Sequence, residues 1–127
     1  MVNKALIAQW CEALRNCKVK QARNWIKCEV NGELQIDAVG VLLDIIDPNG
    51  WCDDPLSWPG AAANKKLKFF VWQSGDMYTD ISIPREVIKL LGVDEGLRVE
   101  IINLNDKRLM SFSEIADWLE KVYLEKN

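Results

Sequence analysis

The sequence predicts a single α+β domain, and three observations carry that prediction. Residues 3–14 repeat apolar side chains at helical spacing behind a capping Asn3. Lys66 to Ile83 alternates strand-forming residues around Ser74-Gly75-Asp76, the pattern of a β-hairpin. Ser111 with Glu114 forms a capping box ahead of a second apolar stripe. At 127 residues, the chain has room for a core that needs neither disulfides nor a structural metal. Its 49% hydrophobic and 28% charged residues are the balance of a globular domain.

In the first helix Leu6, Trp10 and Leu14 recur on one face with Ile7 and Cys11 beside them, while Gln9, Glu12 and Arg15 lie off it. Asn31-Gly32 marks a tight turn. The stretch that follows, IDAVGVLLDIIDPNGW from Ile36 to Trp51, is the most apolar in the chain. Between Asp37 and Asp47 it carries one charge, Asp44. Periodicity leaves strand and helix both open here: β-branched residues favour the first, Asp37 as an N-cap the second. Asp47-Pro48-Asn49-Gly50 reads as a type I turn. A buried, unpaired carboxylate is very costly, so Asp44 is expected to reach solvent or meet a donor.

In the hairpin, Leu67, Phe69 and Val71 share one face opposite Lys68, Phe70 and Trp72, and Met77, Thr79 and Ile81 alternate with Tyr78, Asp80 and Ser82. Pro84 opens a short helix, REVIKLL, that Gly92 stops. The β-branched composition of LRVEIINLN favours a strand, with a helix as the alternative. In the last helix Phe112, Ile115, Ala116, Leu119 and Tyr123 form the apolar stripe, and Met110 is placed to staple onto Ile115.

Charge is segregated. Between Ala13 and Cys28 lie Arg15, Lys18, Lys20, Arg23 and Lys27, with no acid among them. The remaining eleven basic residues face all nineteen acids, so a +5 segment sits within a −8 remainder and a net charge of −3. That net charge argues against non-specific coating of nucleic acid, but a local basic segment attracts anions. Lys18, Lys20, Arg23 and Lys27 with Trp25, whose ring could stack on a base, form one candidate site, for a small anionic ligand such as a signalling nucleotide. The plainer reading is a solvated loop. The second candidate is the loop WCDDPLSWPGAAANKK, in which Trp51, Asp53, Asp54 and Trp58 would be presented to a host protein.

Catalysis finds little support. The chain has no histidine, hence neither the usual neutral-pH base nor the commonest metal ligand. Cys11, Cys17, Cys28 and Cys52 match no zinc spacing, and no phosphate-binding glycine motif occurs. Asp53-Asp54 could hold magnesium only with help from a substrate's phosphates. The expectation is a non-enzyme without cofactor or metal. No apolar run approaches the roughly 18–20 residues of a membrane helix. The opening residues do not read as a signal peptide, so the expected setting is the cytosol with reduced thiols. The oligomeric state stays open, a homo-oligomer included.

Four segments carry a resemblance: NKALIAQWCEALRNCKVKQ (Asn3 to Gln21), GVLLD (Gly40 to Asp44), IPREVIKLLGV (Ile83 to Val93) and LNDKRLMSFSEIADWLE (Leu104 to Glu120). In this order they resemble the motifs of a family of small uncharacterised proteins of bacteria and tailed phages. That family has an NKxLIxxWxxALRSGxYKQ opening, an FCCLGVLCDL box, an LPxEVVxWxGL segment and an LNDxGxSFxxIADxIE tail. The box's paired cysteines fall here on Asp37 and Ala38, and its later one on Leu43, so no thiol chemistry of that box can be shared. The resemblance implies a helix for Asp37 to Ile46, hence a buried central helix beside the N-terminal one, packed on a small antiparallel sheet with helices at the C-terminus. It also implies a bacterial cytosolic setting and an accessory, anti-defence role such as immune evasion.

Overall fold

The computed structural model describes residues 1–53 and 67–125. It shows an α+β domain in which helices pack on one face of a six-stranded mixed sheet. Helix α1 (Lys4–Asn16) starts where Asn3 accepts a hydrogen bond from the Leu6 amide, and it buries Ile7, Trp10, Cys11 and Leu14. Strands β1 (Lys20–Gln21), β2 (Lys27–Val30) and β3 (Glu33–Ile36) follow. Asn31 and Gly32, both at positive φ, make the β2–β3 turn. Helix α2 (Ala38–Ile46) is capped by Asp37, and the Gly50 amide closes the turn after it onto the Asp47 carbonyl. Strand β4 (Trp51–Asp53) is the last element before residue 54.

Strands β5 (Leu67–Ser74) and β6 (Met77–Thr79) are the expected hairpin, turning at Gly75. Helix α3 (Arg85–Leu91) ends at Gly92, whose φ of 70° terminates it in the left-handed region. Helix α4 (Gly96–Ile102) winds into a π-helical turn, Asn103–Lys107. Helix α5 (Phe112–Leu119) has both hydrogen bonds of the Ser111–Glu114 capping box and a wider final turn through Leu124.

Two expectations change. Residues 96–102 are helical, not a strand. Leu97, Ile101 and Leu104 are buried at helical spacing, whereas Val99 is exposed. Burying one such side chain gains about 1.5–3 kcal/mol, more than the few tenths by which β-branching lowers helix propensity. The sheet is also larger than one hairpin and not purely antiparallel, because the basic segment itself supplies β1, parallel to β3, and part of β2. The strand order is β1-β3-β2-β5-β4, with β6 also on β5. β6 stops at Thr79, whose hydroxyl accepts from the Ile81 and Ser82 amides and turns the chain away.

The register defines two faces. Ile36 and Trp72 point inward and join the main core with Trp10, Leu42, Leu43, Ile101 and Ile115. Cys28 and Phe69 point outward and, with Ala22, form a small second cluster. Trp10 fastens α1 to α2 by donating from Nε1 to the Ala38 carbonyl at 3.0 Å. Arg15 bridges α1 to α5 through Asp117 (2.6 Å) and Glu120 (3.2 Å), an exposed pairing worth at most about 1 kcal/mol. Among the described residues no helix is long and apolar enough to cross a membrane.

Candidate functional site

The basic segment does not converge on one point. Lys18 is exposed, and Lys20, also exposed, lies 4.0 Å from Glu33. Arg23 turns back to the chain and donates to the carbonyls of Asn105, Met110 (3.0 Å) and Leu109 (3.5 Å). A guanidinium engaged this way is a strut for the turn after α4. Trp25 stacks on Phe69 with ring centroids 4.3 Å apart and stays 45% exposed on the outer face of the sheet. Lys20 shares that face, because it pairs with Gln35, which stands opposite Cys28.

Lys27 points to the opposite, inner face. Its ammonium lies 4.5 Å from the Trp51 ring centre and 5.5 Å from that of Phe70. Burial lowers its pKa below the usual lysine value, and the nearby Asp44 carboxylate works against that shift. Asp44 is exposed and accepts a hydrogen bond from Trp51 Nε1 at 2.5 Å, so both the expected solvent and the expected donor are present. Asp53 is exposed and pairs with Lys68 at 3.3 Å. Asp54 and Trp58 lie outside the described residues.

A buried polar hub joins the segment to the C-terminal helices, and sequence reading did not single it out. Asn105, 1% exposed, accepts from Gln21 Nε2 (2.8 Å) and the Ala38 amide (3.3 Å). It donates to the Ala22 carbonyl (2.9 Å) and Asp106 (2.7 Å). Asp106 also accepts from the Asn24 amide at 2.8 Å. Beside it Asp37 is buried, accepting from the Gly40 amide at 2.8 Å. The one available signal was polar: Asn105 interrupts the Leu97-Ile101-Leu104 stripe one residue after Leu104.

Burial pushes the Asp37 carboxyl well above its ordinary range; the Gly40 amide opposes this and the charge of Asp106 adds to it. A carboxyl whose pKa is higher folded than unfolded favours the folded state when protonated. That contribution is complete below the unfolded pKa of about 3.9 and disappears as pH rises through the folded value. Asn caps helices as well as Asp. Asp37→Asn is therefore expected to be more stable than wild type near neutrality, with the gap closing towards pH 4. Urea unfolding of both proteins across that range measures the gap; one that does not change with pH would refute the assignment.

Among the described residues, no group of three or more His, Cys, Asp or Glu is placed to hold a metal ion. All four cysteines are free thiols, with Cys11 and Cys28 buried and Cys52 exposed. No family model, curated protein or solved structure matches this chain.

Proposed function

We propose that the protein is a non-enzymatic binding protein of the bacterial cytosol that docks onto a host protein, in the accessory, anti-defence kind of role that the family resemblance implies. The observation supporting this reading is Trp25, an indole 45% exposed on the outer sheet face and held in place by Phe69. Tyr78, 57% exposed, belongs to the same face, because it pairs with Gln73, four residues along β5 from Phe69. Tryptophan and tyrosine anchor many interfaces, and a ring already packed at its base loses little freedom on binding. Arg23 and Lys27, by contrast, are engaged within the chain. Asp54 and Trp58 belong to this reading by sequence alone.

A small anionic ligand is the second reading, favoured by Lys20 and Trp25 sharing one face. A base would stack on the indole and a phosphate would meet the lysine. Trp25→Ala separates the two. For a protein partner, identified by affinity capture from host lysate, the substitution is expected to weaken binding by at least about 2 kcal/mol. Its thermal midpoint should stay within a few degrees of wild type. A nucleotide that stabilises wild type but not Trp25→Ala, and does so less as salt rises, would put the second reading first. Capture unchanged by Trp25→Ala would remove the indole from either role.

A further inference from the structure

The inner face of the sheet reaches the surface at a group of side chains from four segments: Lys27 of β2, Asp44 of α2, Trp51 and Asp53 of β4, and Lys68 and Phe70 of β5. Trp51 and Phe70 flank the Lys27 ammonium at 4.5 and 5.5 Å from their ring centres. The indole is held by its Nε1 hydrogen bond to Asp44, and the backbone that carries it pairs with that of the buried Trp72. Lys68 lies 5.4 Å from the centre of the Phe70 ring and is tied to Asp53. Two aromatic rings with an adjacent exposed carboxylate are the parts of a box that recognises cations.

We propose that this box is a binding site for an alkylammonium group from outside, and that Lys27 is its built-in occupant. The ammonium already seated there shows that the box accepts that chemistry. A primary ammonium must leave hydrogen bonds to water behind when it enters, and Lys27 does so in part. A methylated ammonium has the same charge with fewer or no N–H donors, so it enters at lower desolvation cost. The preferred ligand class is thus a quaternary or methylated ammonium, free or on a lysine side chain. The site lies on the opposite face of the sheet from Trp25, so it stands or falls independently of the docking surface proposed above.

NMR of the full chain reads the box through the Trp51 indole N–H and the Lys27 ε-methylene, which lies within the ring currents of Trp51 and Phe70. Tetramethylammonium chloride is titrated against sodium chloride at equal ionic strength. N-acetyl-trimethyl-lysine amide and its unmethylated counterpart serve as the side-chain arm. In wild type, saturating tetramethylammonium is expected to move the Lys27 ε-methylene to the position of a solvated lysine. Lys27→Met and Lys27→Gln are expected to bind the same probe roughly tenfold more tightly, because no occupant has to leave. Asp44→Asn is expected to weaken it. Tighter binding of the trimethyl-lysine amide than of tetramethylammonium assigns the site to side chains, and the reverse order to small free cations. The proposal is overturned if Lys27 does not move and neither folded variant saturates. It is equally overturned if sodium chloride produces the same shifts, or if unmethylated lysine binds best.

Discussion

Gly40→Ala is expected to destabilise the protein by about 3 kcal/mol, although alanine is the better helix former by roughly 1 kcal/mol. Gly40 lies in the first turn of α2, where the helix meets the backbone of Ile26 and the side chain of Ile36. A Cβ built there would overlap the carbonyl oxygen of Ile26 and lie 2.5 Å from Ile36 Cγ1. That carbonyl cannot give way cheaply, because it accepts the Asp37 amide at 3.0 Å and so joins the start of α2 to the entry of β2. Steric overlap with backbone therefore outweighs the propensity gain. Gly75→Ala supplies the contrast: no atom lies within 4 Å of its Cβ, but φ is 59°. Only the left-handed conformation is penalised there, at about 1–2 kcal/mol. Urea unfolding of the two variants should rank Gly40→Ala as clearly the worse, and equal losses would contradict the close approach.

Asn105→Ala is the second large effect, again about 3 kcal/mol, or roughly a 10 °C fall in thermal midpoint. The side chain satisfies the Ala38 amide and the Ala22 carbonyl together, and removing it leaves both without that partner in the interior. Each such group costs about 1–3 kcal/mol. Asn105→Asp tests the electrostatics of the same point. It has nearly the same shape, but it would set a third carboxylate beside Asp37 and Asp106 and lose the amide that donates to Ala22 and Asp106. Its stability is expected to fall as pH rises above the ordinary carboxylate range, well beyond any fall in wild type, because like charges gathered in one buried site disfavour ionisation. A pH-independent loss would show that shape, not charge, controls the hub.

Features closed within three or four residues were determined by the sequence itself. Asn3 on Leu6, Asp37 on Gly40, Ser111 with Glu114 and the left-handed Gly92 each form a local contact whose partners are neighbours in the chain. The same holds for the β5–β6 turn, and for α1 and α5, whose apolar spacing fits only a helix. For Leu97 to Asn105 the strand preference of β-branched residues is weak and local, and it is overridden because Leu97, Ile101 and Leu104 share a common core only as a helix. The roles of the cations were set by partners far away in sequence. Arg23 is held by carbonyls more than 80 positions on. Lys27 is held by Trp51 and Phe70, which β2, β4 and β5 bring together only when the sheet forms. A run of positive charge states that anions are attracted nearby. Which of those charges still faces solvent is decided by the tertiary fold, because a carbonyl or an aromatic face brought close by folding is an equally good partner for a cation.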